Sequence, residues 1–198
     1  MPLRVFPIAA PASFSSDFNE GRSGGRLHAG NDLFGERGSP LVAVDDGELR
    51  SGRDPLGGNV LNLRANDGTR YYYAHLDTFT DGFATLTDPP APRVVRAGEI
   101  VGFLGATGNA AGTPPHVHFE IHPGNGPAID PFPTLQAAPR MNDPRVPAMP
   151  TTPRNVLVTV GSIALLGLGA WALLYPNDAQ ALVRRLGGGV RRLGGSNA

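Results

Sequence analysis

The most regular pattern of polar and apolar residues in the chain lies at residues 116–122, where the two kinds alternate without a break. His116, His118, Glu120 and His122 occupy one side of this alternation, and valine, phenylalanine and isoleucine occupy the other. A period of two is typical of a β-strand with one face in the core. We therefore predict a strand that presents three imidazoles and a carboxylate on a single face.

Shorter runs, separated by turn-forming residues, predict further strands. Residues 59–64 and 70–75 flank an Asn-Asp-Gly turn and form one predicted hairpin, and the Asp-Asp-Gly at residues 45–47 predicts a second. Short strands joined by regular turns favour an all-β, mostly antiparallel sheet domain. Other strands are predicted at residues 13–18 (an edge strand), 41–44, 48–50 and 100–105.

Residues 156–175 show a different pattern, an uninterrupted run of apolar and small residues without charge. A helix of this length extends about 30 Å, the thickness of a bilayer core. Trp171 and Tyr175 lie at its far end, as aromatic residues do at membrane interfaces, and Pro176 ends the helix. We predict a single C-terminal transmembrane helix at 156–175, in contact with a lipid membrane. A buried core helix is the alternative interpretation.

The segments on either side of this helix lack apolar periodicity. Residues 137–155 contain recurring prolines, which favour a stiff, extended linker. Residues 176–198 contain two arginine pairs among leucines and glycines. That composition fits either an amphipathic segment on an anionic lipid surface or a disordered tail. The β domain is accordingly predicted to occupy residues 1–136.

Composition narrows the chemistry of this domain. The chain of 198 residues has 17 basic and 17 acidic residues, so its net charge does not favour nucleic acid as a partner. It has no cysteine, which excludes disulfides and thiolate catalysis. A metal site here must therefore use imidazole and carboxylate ligands, a set that suits Zn2+.

All five histidines lie within or beside three short segments. The first contains His28 and Asp32, separated by a glycine that permits a tight turn. The second is a tyrosine-rich predicted strand that ends at His75, and the third is the alternating strand at residues 116–122. One His-x-His pair is weak support for a metal site, but three segments of ligand-type residues together predict one.

These motifs resemble those of the lysostaphin/LytM-type zinc endopeptidases, which cut peptide cross-links of bacterial peptidoglycan. The resemblance rests on His-x-Gly-x-Asp at residues 28–32, Tyr-Ala-His-Leu at 73–76 and Pro-His-Val-His-Phe-Glu at 115–120. It covers roughly residues 14–136 and implies the mostly antiparallel β fold of that family.

The resemblance implies a role for each motif residue. His28, Asp32 and His118 correspond to the metal ligands, and His116 and His75 to an unligated pair that handles protons. Zinc held in this way lowers the pKa of a bound water to about 7. We expect His116 to act as the general base and His75 to hold the oxyanion or orient the water, with the division of roles left open.

Two more residues share this strand face. Glu120 is predicted to hydrogen-bond a ligand imidazole, with a solvated strand carboxylate as the alternative. His122 lies about 13 Å along the strand from His118 and is predicted to be a surface residue before a Pro-Gly turn.

The sequence therefore predicts a membrane-anchored zinc metalloendopeptidase that hydrolyses peptidoglycan. The alternative is a non-catalytic module on the same fold that binds the cell wall or regulates a hydrolase, but the complete ligand set favours the enzyme. The N-terminus lacks the apolar core of a secretory signal. We therefore expect the catalytic domain to face the cell wall from a phage virion membrane, as a lysin, or from a bacterial envelope.

Overall fold

A computed structural model of the chain describes residues 2–80 and 92–146, and all structural statements concern these residues. They contain ten strands and one α-helix, together with three short 3₁₀ turns at Ser23–Gly25, Gly108–Ala110 and Pro123–Asn125. The elements are β1 (Ala12–Ser13), β2 (Asn31–Gly35), β3 (Pro40–Val42), β4 (Gly47–Asp54), β5 (Gly58–Ala65), β6 (Arg70–Leu76), β7 (Thr78–Phe79), β8 (Arg93–Val95), β9 (Ile100–Phe103), β10 (His116–His122) and α1 (Phe132–Ala137).

The strands form two antiparallel sheets. The larger sheet has the order β1-β2-β10-β6-β5-β4-β8, and the smaller has the order β3-β9-β7. Every strand pairing in both sheets is antiparallel. The predicted all-β, mostly antiparallel class is therefore confirmed for the described part of the chain.

The alternating strand β10 lies in the middle of the larger sheet, between β2 and β6. Val117, Phe119 and Ile121 are buried in the apolar core, as the period of two predicts. The side chains of the alternate positions lie on the other face of the sheet, because successive residues of a strand point to opposite sides. That face contains the candidate functional residues.

A single cluster of buried apolar side chains connects the two sheets. In the larger sheet, the ring of Phe119 stacks with Tyr71 at 6.1 Å and meets Tyr73 edge-on at 5.1 Å. The fully buried Tyr73 hydroxyl donates to the carbonyl of Val42 at 3.0 Å and accepts from the N–H of Val44 at 3.1 Å. This pair of bonds joins β6 to the segment that begins in the smaller sheet.

The predicted hairpin at residues 45–47 is wrong. The strand before this turn, β3, pairs with β9 in the smaller sheet, whereas β4 pairs with β5 and β8 in the larger sheet. Residues 42–44 are all fully buried, so they lack the alternation of a half-exposed hairpin strand. Asp46 accepts a hydrogen bond from the N–H of Ala97 at 2.8 Å. The Asp-Asp-Gly turn therefore connects two sheets.

The predicted edge strand at residues 13–18 is present only as β1, which pairs with β2 at the margin of the larger sheet. Residues 14–18 are not in a strand. They form part of the connection that leads to β2, and this connection brings Asp17 to the candidate site.

The chain after β10 contains the short helix α1, which the sequence pattern does not predict. Residues 138–146 then pack on the domain, because Ala138 and Val146 are buried and the carbonyl of Pro139 accepts from the N–H of Phe6 at 2.8 Å. Across residues 2–80 and 92–146, no helix combines the length and apolarity needed to cross a membrane. The remainder of the predicted linker, the predicted membrane helix at 156–175 and the tail at 176–198 lie outside the described residues.

The hydroxyl of Tyr73 offers a test of how the sheets are joined. Tyr73→Phe leaves the buried N–H of Val44 without its partner, and we expect the free energy of unfolding to fall by about 1–3 kcal/mol. Denaturant unfolding measures this loss. Tyr71→Phe is the matched control, because the Tyr71 hydroxyl makes no hydrogen bond within the described residues. An equal effect of both substitutions would contradict this account of the Tyr73 hydroxyl.

Candidate metal centre

Three side chains converge on one point on the polar face of the larger sheet. The antiparallel pairing of β10 with β2 places His118 directly opposite Asp32, and His28 lies just before β2. His28 Nε2 is 2.8 Å from His118 Nδ1 and 3.1 Å from Asp32 Oδ1, and His118 Nδ1 is 3.1 Å from the same oxygen. These atoms form the group of potential metal ligands found in the described part of the chain.

The donor atoms have the chemistry and spacing of a zinc site. Two imidazole nitrogens 2.8 Å apart require a cation or a proton between them, because two lone pairs repel at that distance. Ligands around tetrahedral zinc are about 3.3 Å apart. The contacts here are slightly shorter, so small side-chain rotations would admit the ion. Two imidazoles and one carboxylate are a ligand set of catalytic zinc, which leaves a fourth position for water.

His28 and Asp32 are held from outside the cluster by the connection before β2. The carbonyl of Asp17 accepts from His28 Nδ1 at 2.9 Å, which directs the lone pair of Nε2 to the cluster. Arg22 Nη2 lies 3.0 Å from Asp32 Oδ2 and 3.1 Å from Asp17 Oδ2. Arg22 Nη2 also lies 2.7 Å from His28 Nδ1. Because a guanidinium can only donate, this contact opposes the tautomer in which Nδ1 donates to the Asp17 carbonyl. The fully buried Asn31 donates to Asp17 Oδ1 at 2.5 Å and fixes this carboxylate.

His118 is held by the next polar residues of its own strand. Its Nε2 donates to Glu120 Oε1 at 2.9 Å, which leaves Nδ1 free to face the cluster. The other oxygen of Glu120 is 2.5 Å from His122 Nε2, and His122 Nδ1 donates to the carbonyl of Gly126 at 2.8 Å. His122 is only 8% exposed. The prediction of a surface residue is therefore wrong, because the turn after β10 folds back and encloses the ring.

These contacts shift the pKa values of the cluster. Burial has the largest influence on Asp32 and would raise its pKa, but hydrogen bonds with His118 and His28 outweigh it and hold that pKa well below its usual range. Burial would lower the pKa of His118, yet hydrogen bonds with Asp32 and Glu120 raise it to about 9. A metal must therefore displace a proton at neutral pH, and we expect its apparent affinity to increase as the pH rises toward 9.

His75 and His116 lie beside the cluster, with their ring centroids 5.0 Å apart. Each ring donates from Nδ1 to a backbone carbonyl, His75 to Thr107 at 2.9 Å and His116 to Pro114 at 2.8 Å. The Nε2 of each neutral ring is therefore an acceptor. Burial, followed by the electrostatic influence of the neighbouring His116 ring, lowers the pKa of His75 to about 4. His75 is thus neutral at neutral pH.

The backbone of His75 adopts an unusual conformation. Its φ is 68°, in the left-handed region that residues other than glycine rarely occupy, and its N–H donates to the carbonyl of Gly57 at 2.7 Å. Gly58, which follows Gly57 in the chain, also has a positive φ. A Cβ on Gly58 would lie 2.3 Å from Thr107 Oγ1, so the backbone approaches Thr107 closely. The Thr107 hydroxyl donates to the carbonyl of Leu76 at 2.9 Å. This close approach holds the carbonyl that orients the His75 ring.

All the predicted site residues line one groove with a volume of about 450 Å³, a size suited to a bound peptide segment. The structure thus brings His28, Asp32 and His118 into one cluster, places His75 and His116 beside it, and bonds Glu120 to His118. Their chemical roles stay predictions.

Sequence reasoning did not identify Asp17, Arg22 or Thr107 as parts of the site. Asp17 and Arg22 lie in a connection without periodicity or a recognisable motif, and Thr107 contributes through its backbone carbonyl as well as its side chain. The available signal was indirect. Ligand imidazoles and carboxylates are usually hydrogen-bonded by neighbouring groups, but only the fold shows which groups these are.

Comparison with known families assigns this arrangement. Residues 26–131 match the model of Peptidase family M23, which is more than half of the chain. The chain belongs to peptidase family M23. The resemblance inferred from the motifs is therefore confirmed. Metallo-endopeptidases of family M23 hydrolyse peptidoglycan, and zinc is typical of the family.

Two M23 relatives illustrate the similarity. The L-Ala--D-Glu endopeptidase of Bacillus subtilis (strain 168) is 30% identical over 142 residues, which cover 66% of this chain and 42% of that protein. The glycyl-glycine endopeptidase ALE-1 of Staphylococcus capitis is 36% identical over 124 residues, which cover 60% of this chain and 31% of that protein. The chain thus spans less than half the length of either relative.

Solved structures agree with this assignment. The catalytic domain of lysostaphin from Staphylococcus simulans is 31% identical, with a TM-score of 0.53, and the match covers 63% of this chain and 92% of that one. A zinc containing peptidase from Vibrio cholerae is 27% identical, with a TM-score of 0.51 and coverage of 64% and 38%. The M23 fold and the His-Asp-His cluster therefore occur together in this chain.

The bond between His118 and Glu120 predicts an effect on metal affinity. Glu120→Gln keeps the shape of the side chain but removes the negative charge that holds the His118 ring, so we expect zinc affinity to fall by about 10–100-fold. Competition with a chromophoric chelator measures this affinity. Glu48→Gln is the matched control, because Glu48 is an exposed carboxylate of the same sheet that does not line the groove. Unchanged affinity in Glu120→Gln would show that the His118 ring is held by other contacts.

Proposed function

We propose that this chain is a zinc-dependent endopeptidase that hydrolyses a peptide bond in bacterial peptidoglycan. The proposal is carried by the convergence of His28, Asp32 and His118 beside two further histidines in one groove. Membership of family M23 supports the substrate class. The relatives named above are an L-Ala--D-Glu endopeptidase and a glycyl-glycine endopeptidase, two activities named for different peptide bonds.

His116 is placed to act as the general base. Zinc held by two imidazoles and a carboxylate would supply a Lewis acid that activates water near neutral pH. His116 Nδ1 is engaged with the carbonyl of Pro114, and the ring lines the groove, so its Nε2 can accept a proton from the attacking water. The same nitrogen can then return that proton to the amine that leaves.

His75 is better suited to orient the water than to hold the oxyanion. Its Nδ1 donates to the carbonyl of Thr107, so the Nε2 of the neutral ring accepts hydrogen bonds. Holding an oxyanion requires a proton on Nε2, which the lowered pKa of about 4 opposes. Of the two roles predicted for His75, we therefore propose that it accepts a hydrogen bond from the attacking water.

We further propose that residues 156–175 anchor the enzyme in a membrane, with the catalytic domain facing the cell wall. The support is the length and apolarity of this run in the sequence. A phage virion membrane and a bacterial envelope both provide such a setting. Detection of the chain in purified virions would favour the virion, and detection only in the envelopes of uninfected cells would exclude it.

The division of roles predicts different effects for His118 and His116. His118→Ala should lose both zinc and cleavage, because it removes a ligand. His116→Ala should keep about one zinc per chain but lower the turnover of peptidoglycan by about 10²–10⁴-fold. Metal analysis and mass spectrometry of the released peptides measure the two properties. A wild-type chain that binds zinc but cleaves no type of cell wall would support the non-catalytic alternative.

The membrane proposal predicts that the full-length chain floats with lipid vesicles in a density gradient. The double substitution Leu165→Arg and Leu166→Arg introduces two charges in the middle of the run. It should abolish flotation, because each charge costs about 2.5–3.5 kcal/mol at the centre of a bilayer. The double substitution Leu182→Arg and Leu186→Arg in the tail is the control for added charge. Equal flotation of the wild type and the 165/166 variant would contradict a membrane span.

A further inference from the structure

The groove continues along the strands, away from the metal centre. In the pairing of β10 with β6, His118 lies opposite Ala74, Glu120 opposite Tyr72 and His122 opposite Arg70. The Cα atoms of Ala74 and Arg70 are therefore about 13 Å apart along the strand. Arg70 lines the groove together with Tyr72 and the metal centre. A peptide that reaches the metal centre and extends in this direction meets Arg70.

Arg70 is positioned by neutral partners. Its Nε donates to Asn125 Oδ1 at 3.0 Å, and its Nη1 donates to Asn62 Oδ1 at 3.2 Å. Within residues 2–80 and 92–146, no carboxylate lies within ion-pair distance of this guanidinium. The two amides thus fix its orientation without neutralising its charge. Arg22, at the metal end of the groove, contrasts with it because Asp17 and Asp32 both pair with that cation.

The surroundings of Arg70 add to the positive charge. Arg64 is its direct cross-strand neighbour in β5, on the same face of the sheet. Arg64 in turn lies directly opposite Glu48 of β4, a carboxylate that partly offsets its charge. Arg26 also lines the groove and is exposed.

The acidic groups of the groove already have partners within the protein. Glu120 contacts His118 and His122, and Asp32 belongs to the metal centre. Asp54 accepts from the backbone N–H groups of Leu56 and Gly57 at 2.8 and 2.6 Å. The guanidinium of Arg70, at the far end of the groove, is therefore available to attract a negatively charged group of a ligand.

We propose that Arg70 forms a subsite for a carboxylate of the peptide substrate. A guanidinium held at two of its nitrogens still presents further N–H donors, and this group recognises carboxylates more specifically than an ammonium does. Stem peptides of peptidoglycan carry free carboxylates unless these are amidated, whereas bridges of glycine carry none. The substrate is accordingly a stem peptide with a free carboxylate. This inference rests on the proposed function.

The test compares two stem-peptide fragments that differ only in their carboxylates, which are free in one and amidated in the other. With the zinc-loaded, full-length chain we expect kcat/KM to be at least about tenfold higher for the acid fragment, mainly through a lower KM. Arg70→Gln should remove this preference, and Arg70→Lys should restore part of it. Arg53→Gln, an exposed arginine of the same sheet outside the groove, should keep it.

The outcomes separate this inference from the proposed function. Equal cleavage of both fragments by the wild type would overturn the carboxylate subsite and leave the endopeptidase intact. A preference that persists in Arg70→Gln would overturn the role of Arg70. Cleavage of neither fragment would count against the endopeptidase itself. Calorimetric binding of the two fragments to the zinc-loaded wild type would then decide separately whether the carboxylate is recognised, since equal affinities overturn the subsite.

Discussion

The register of β10 between β2 and β6 is the constraint on which the site depends. His118 faces Asp32 across one strand pair and Ala74 across the other. Because side chains alternate, a shift of one residue would turn Val117 and Phe119 toward the groove and the imidazoles toward the core. The packing of Phe119 between Tyr71 and Tyr73 opposes such a shift. Core packing therefore holds the metal ligands in place.

A second constraint is that each ligand makes a further contact outside the cluster. The Asp17 carbonyl holds His28, Arg22 holds Asp32, and Glu120 holds His118. An imidazole whose second nitrogen donates to an oxygen has one defined tautomer and one defined ring orientation. These partners come from an irregular connection on one side and from a regular strand on the other. The cluster is thus preorganised from two directions.

The parts of the fold and site that the sequence predicts are those with local causes. The alternation at residues 116–122 is a property of one strand, so it places the three histidines and Glu120 on one face without knowledge of the rest of the fold. The predicted hairpin at residues 45–47 is wrong because Asp-Asp-Gly indicates only a local turn. The sheets that β3 and β4 join are decided by strands distant in the sequence, β9 and β8. The predicted exposure of His122 is wrong for the same reason, because only the fold shows that the chain turns back and brings the Gly126 carbonyl to the His122 ring. The role of Asp17 depends on a backbone carbonyl, which no side-chain pattern encodes.

The separation of the ligands along the chain has a consequence for folding. His28 and His118 are 90 residues apart, so an ion bound by both would close a loop that spans most of the described domain. In the chain-entropy model, a covalent bridge that closes a loop of this length lowers the entropy of the unfolded chain and so stabilises the folded state by about 4–5 kcal/mol. The chain has no cysteine, and a metal cross-link would restrain it in a comparable way. Such a restraint would be independent of the redox state of the surroundings.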